Sequence, residues 1–242
     1  MPARCAVAVL LSPYHPGMKS ELSNPQTLND RMAELIRQKI VHGEFTPGQR
    51  LSEAALSESL EISRNTLREV FRLLTKEGLL KHEPNRGVFV AIPSIASIID
   101  IYRVRRLIEC QALAQAYPRH PAKKHLRDAV EMALRCRDAG DWQGVGTANM
   151  EFHMAIVELA DSERLNVVFS HLLAELRLAF GLLNDPEFLH MPYVEMNVNI
   201  LELFEAGKLQ EAAAALNEYL VHSERIVLAV YARRISDGGQ PK

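Results

Sequence analysis

From Thr27 onward, apolar side chains recur at four-residue intervals (Leu28, Met32, Ile36, Ile40), which keeps them on one face of a helix. Gly43 and Pro47 end that run. Ser52 is placed to cap a second, short helix with apolar positions Ala55, Leu56 and Leu60, and Glu61-Ile62-Ser63 makes a tight turn. A third helix follows, with Ser63 as its N-cap and Leu67, Val70, Phe71 and Leu74 along one side. After Gly78 the period drops to two. Residues 79–82 and 87–90 read as short strands joined at Glu83-Pro84-Asn85-Arg86, a β-hairpin.

Ile92-Pro93-Ser94 then reads as a linker, since proline breaks pairing and Ser94 can cap a new helix. Everything beyond is helical in pattern. The expected helices are 94–117, 121–139, 141–160, 163–184, 190–206 and 208–234, separated by Pro118, Pro121, Gly140, Asp161-Ser162, Pro186 and Gly207. The fold class is therefore mostly α. A winged helix-turn-helix occupies residues 26–92 and an antiparallel all-α bundle residues 93–234, with flexible tails at 1–25 and 235–242. The apolar stretch from Cys5 to Leu11 is read as part of that tail or as sequence upstream of a start at Met18, rather than a signal peptide.

Composition narrows the picture slightly. At 242 residues the chain can bury two modest cores. A net charge of −2 argues against a protein that coats nucleic acid through bulk positive charge. Cys5, Cys110 and Cys136 form no CxxC pair, which suits a reducing, cytoplasmic compartment. No apolar run reaches the roughly 18 residues a membrane span needs.

The local charge matters more than the total. With its apolar side buried, the third helix presents Asn65, Arg68, Arg72 and Lys76 outward, and Arg64 stands at its leading edge. Between Arg64 and Arg86 six basic residues face three acidic ones, a balance of +3. Arg and Asn pair bidentately with guanine and adenine edges, each contact giving roughly 1–3 kcal/mol of discrimination. Arg86 at the hairpin tip can reach a minor groove or a phosphate.

These residues carry a resemblance. Pro47-Gly48-Gln49-Arg50-Leu51, Leu56, Ile62 to Glu69, Leu73, Gly78-Leu79-Leu80 and Asn85 to Val90 are similar to the DNA-binding domain of GntR-type bacterial transcription regulators. The resemblance implies DNA contacts from Ser63, Arg64, Asn65, Thr66 and Arg68, and from Arg86 and Gly87 in the wing, with Arg50 as the basic position before the second helix. Thr66-Leu67 stands where family members often carry Pro-Val.

The helical half resembles the FadR-type ligand-binding domain in its FCD variant. Val104 to Glu109, Asn149-Met150-Glu151-Phe152-His153, and Phe204 to Lys208 followed by Glu211-Ala212 carry that likeness. Many such domains hold a divalent metal with one Asp and three His. Here those positions fall on Asn149, His153, Asn197 and Tyr219, with His222 able to substitute only through a helix shift. One imidazole, two amides and a phenol suit zinc or nickel poorly, so no metal and no other cofactor is expected, His153 and His222 being weak candidates. Asn149, His153, Asn197 and Tyr219 are read instead as a polar lining for a small effector, an organic acid in the first instance. The bland reading of His153 is a satisfied core histidine. Arg105 has two readings, a clamp on the effector's carboxylate or one half of a structural ion pair. His171, Arg177 and Asn199 are further polar candidates.

Enzyme signatures are missing: no GxSxG, HExxH or P-loop occurs, and no GxGxxG follows a strand. The alternatives to DNA binding are a helical-bundle metal-binding protein or an enzyme with no DNA role, in which nothing orients His153 or His222. The expectation is a transcription regulator, a repressor by the family's commoner habit. It pairs as a homodimer on a pseudo-palindromic double-stranded operator, responds to a small-molecule effector and makes no use of a membrane.

Overall fold

The computed structural model describes residues 27–117, 119–182 and 186–236. The N-terminal unit runs α1 (Leu28–Val41), β1 (Arg50–Leu51), α2 (Glu53–Ser59), α3 (Arg64–Lys76), β2 (Leu80–Glu83) and β3 (Gly87–Val90). The expected caps are in place. Thr27 and Asp30 form a capping box on α1, and the Ser52, Ser63 and Ser94 side chains accept from Ala55, Thr66 and Ser97 backbone N–H groups.

Three details differ from the periodic reading. Leu28 is 45% exposed, because α1 buries side chains only from Ala33 onward and its first turn projects past the core. In α2 Ala55 is exposed and Ser57 is buried in its stead, the helix being too short for its period to fix a face. A two-residue strand, β1, joins the wing, making an antiparallel sheet ordered β1-β3-β2 with Arg50 opposite Phe89 and Leu51 opposite Val88.

The C-terminal bundle comprises α4 (Ile95–Gln115), α5 (Lys123–Asp138), α6 (Trp142–Glu158), α7 (Glu163–Phe180), α8 (Pro186–Glu205) and α9 (Leu209–Ser236). Several of the boundaries shift by two residues or more. α7 stops at Phe180 rather than near 184, and Pro186 opens α8 instead of preceding it, proline being favoured in the first turn where its missing N–H costs nothing. α9 continues to Ser236, two residues into the expected C-terminal tail. The expected tail at 1–25 lies outside the described residues, as does the stretch from 237 on.

The two units share an interface. Ala174 and Leu178 of α7 belong to the same apolar cluster as Ile36, Ile40, Leu74 and Leu79 of the winged unit. Around it, buried Arg37 donates to both Glu77 oxygens at 2.8 and 2.9 Å, at the C-terminal end of α3, and also pairs with Glu34. Gln143 Nε2 at the start of α6 donates to the His42 carbonyl at 2.8 Å, and Tyr231 Oη donates to the Pro93 carbonyl at 2.5 Å. The 92–94 connection is thus clamped at its middle.

Candidate functional site

The N-terminal face is built on α3. Leu67, Val70, Phe71 and Leu74 are buried, and this leaves Arg64, Asn65, Arg68, Arg72 and Lys76 on the opposite, exposed side. Ser63 and Thr66 sit at the helix start, their hydroxyls 2.9 Å apart, so both hold the cap as well as facing outward. Acidic neighbours tie several of the cations: Arg68 Nε to Glu53 at 3.0 Å, Arg72 to Glu69, Arg86 to Glu83 at 2.5 Å, and Lys81 to Glu83 at 3.2 Å. All of these pairs are at the surface, where such bonds contribute little and phosphates can compete for the cation.

The wing brings Arg50 and Gly87 together. Gly87 has φ of +109°, a region closed to other residues, and a Cβ there would lie 3.4 Å from Arg50 Nε. Arg86 stands over the Phe89 ring at 5.5 Å, at the end of the hairpin turn closed by Arg86 N–H to the Glu83 carbonyl. Arg50 therefore comes from β1, Arg86 from the turn between β2 and β3, and Gly87 from β3, while Ser63 caps α3 and Arg64, Asn65, Thr66 and Arg68 lie within it.

The second cluster lies inside the bundle. Arg105, Glu109, Asn149, His153, Asn197 and Tyr219 are all buried, drawn from α4, α6, α8 and α9. Arg105 Nε donates to Glu109 Oε1 at 2.8 Å, and His153 Nδ1 lies 2.5 Å from Glu109 Oε2. Burial opposes the Glu109 charge, but the Arg105 guanidinium and the hydrogen bond from His153 outweigh it and hold the carboxyl below its usual range. Burial pushes His153 down, so its ring is neutral; since a carboxylate only accepts, Nδ1 carries the proton and Nε2 is a bare acceptor. Asn149 Oδ1 accepts from Asn197 Nδ2 at 2.7 Å and from Tyr219 Oη at 3.0 Å.

Three buried polar atoms of this cluster have no partner among the described residues: Arg105 Nη2, His153 Nε2 and Asn197 Oδ1. Native interiors rarely leave such groups unpaired. Of the two readings of Arg105, the ion pair with Glu109 is present, and Nη2 is left over from it. His222 is exposed and Asn199 faces outward, while His171 stands 3.9 Å from Glu77 beside the winged unit. Glu109 is the residue that sequence reasoning passed over, although its i, i+4 spacing from Arg105 was visible.

Two N–H or O–H groups point at Asn149 Oδ1, and no three His, Cys, Asp or Glu side chains converge as ligands among the described residues. No described helix is long and apolar enough to cross a membrane.

A basic recognition helix, a three-stranded wing and an all-helical second unit define a winged helix-turn-helix transcription regulator. The model of the bacterial regulatory proteins of the gntR family matches residues 28–90, and that of the FCD domain matches residues 100–222. The chain belongs to the GntR family, with an FCD domain as its C-terminal half. A GntR transcriptional regulator of known crystal structure from Rhodococcus sp. RHA1 is 35% identical, with a TM-score of 0.79 over 84% of this chain and 98% of that one. The Bacillus subtilis HTH-type transcriptional regulator YdhC is 27% identical over 56% of this chain, and the Escherichia coli HTH-type transcriptional repressor RspR 32% identical over 41%. The matched stretches span 62% and 43% of those two relatives' own lengths. The relatives are named as transcription regulators, and the chain is a regulator of this kind rather than an enzyme.

Proposed function

We propose that the chain is an effector-responsive repressor that binds a pseudo-palindromic operator as a homodimer, placing Arg64, Asn65 and Arg68 of each protomer in successive major grooves. Arg86 and Gly87 of the wing follow the neighbouring backbone or minor groove, and Arg50, Ser63 and Thr66 hold the register through phosphates. The repressor sign follows the name of RspR.

The effector site is the buried cluster around Glu109, and its unpaired atoms Arg105 Nη2, His153 Nε2 and Asn197 Oδ1 carry that reading. Arg105 Nη2 is a donor for a carboxylate or carbonyl oxygen, whereas His153 Nε2 and Asn197 Oδ1 are acceptors that ask for hydroxyl or amine hydrogens. A small organic acid that also carries a hydroxyl satisfies all three. No metal takes part. The effector must bind the two placements of the reading heads unequally if it is to change operator occupancy.

The test is fluorescence anisotropy on duplexes selected from random sequence. Tight binding that weakens steeply with salt is expected, and Arg64→Ala or Asn65→Ala is expected to cost roughly 5- to 150-fold on the selected site. Equal affinity for selected and scrambled duplexes would sink the proposal. Stoichiometric zinc or nickel in purified protein would refute the metal-free site.

A further inference from the structure

Arg177 of α7 is only 8% exposed, and no carboxylate among the described residues pairs with its guanidinium. Burial alone pushes its pKa down. Beside it, His190 of α8 is 4% exposed, and its Nδ1 has no hydrogen-bond partner among the described residues. Burial, then Arg177, pushes the His190 imidazole down to about 4. The two side chains converge over Gly146 of α6: a Cβ there would lie 2.6 Å from Arg177 Nη1 and 2.7 Å from His190 Nε2. The glycine leaves the room they occupy.

Both residues line a cavity of about 200 Å³ at the junction of the two units. Ile40, Phe45 and Pro47 wall it from the winged unit, and Leu178, Phe180 and Leu189 from the bundle. None of its described lining side chains is acidic, and none belongs to the Glu109 cluster. A buried cation without a counter-charge is costly to a fold, and anion binding is the direct way to offset that cost. Drug-sized ligands take cavities of roughly 300–1,000 Å³, so this one suits a few heavy atoms.

We propose that the junction cavity is a second ligand site, which binds a small oxyanion between Arg177 and His190. The oxyanion is a carboxylate or an inorganic phosphate. Arg177 supplies charge and a planar pair of donors, and His190 supplies an imidazole N–H. An occupant touches the bundle on one side and the loop after α1 on the other. Occupancy therefore favours the placement of the reading head seen here over any that opens the junction.

The full chain is exchanged into chloride buffer at fixed ionic strength, and its Tm is followed as inorganic phosphate or acetate replaces chloride. A saturable rise of roughly 2–5 °C is expected in the unaltered chain. Arg177→Met is expected to raise the Tm in chloride, since it removes the uncompensated cation, and both it and His190→Phe are expected to lose the anion-dependent rise. Saturation with acetate alone identifies a carboxylate site, and with phosphate alone a phosphate site. Excluded salts also raise Tm, without saturating. An equal, unsaturable rise in all three proteins overturns the proposal, as does no rise with either anion. A lower Tm for Arg177→Met in chloride, with the phosphate response kept, also overturns it by making Arg177 structural. If Arg177→Met does not fold, His190→Phe decides by the same criterion.

Discussion

Glu109 divides its two oxygens between Arg105 and His153, and this division sets the polarity of the whole buried cluster. Replacing it by Gln leaves a buried guanidinium without its counter-charge, and the expected loss is about 3–5 kcal/mol in a denaturant titration. An unchanged midpoint would mean that Arg105 reaches another partner. His190 makes a pH prediction. Its pKa lies near 4 when folded against 6.5 ordinarily, so above 6.5 both states are neutral and its contribution is constant. As the pH falls from 6.5 towards 4 the unfolded chain takes up the proton first, and stability declines. His153 acts in the same direction. The plot of Tm against pH for His190→Phe should be shallower across this window; a parallel plot would contradict the assignment. At this scale the sequence was partly legible. Arg105 and Glu109 stand one helical turn apart, and Asn149, His153, Asn197 and Tyr219 were reached by resemblance. Arg177 and His190 come from different helices and meet over a third, a convergence no local spacing encodes.

Among the elements, α3 was the most readable, because an amphipathic period and a serine cap agree over 13 residues. The strand β1 was not, since two residues are too few to show alternation and its pairing partner lies almost 40 positions on. It nonetheless places Arg50 against the wing. Gly87→Ala strikes this arrangement at its tightest point, forcing φ of +109° on a residue with a Cβ. About 1–3 kcal/mol of destabilisation is expected by thermal melting, together with weaker operator binding by anisotropy. Full binding with normal stability would show that the wing tolerates another backbone path.

On the scale of the molecule, the two units were legible as separate patterns, but the surface that joins them was not. Gln143 opens α6 and donates to the carbonyl of His42, 101 positions away, a bond that appears only once the two units pack. Leu178 is 1% exposed within the winged unit's own core cluster, so Leu178→Asp buries a carboxylate there. Calorimetry should then resolve a separate, earlier transition for the winged unit, where the unaltered chain gives one. A single transition in both would mean that the junction contributes little to cooperativity.

The shared cluster around Ala174 and Leu178 has a consequence for exchanging parts between regulators. A reading head cut at residue 92 and fused to a different C-terminal domain leaves behind two of the side chains that complete its core. The successful chimera is therefore the one that carries the head-facing stripe of α7 with the head, or repaints that stripe on the new host. Specificity for DNA is portable here only together with a strip of the helical bundle.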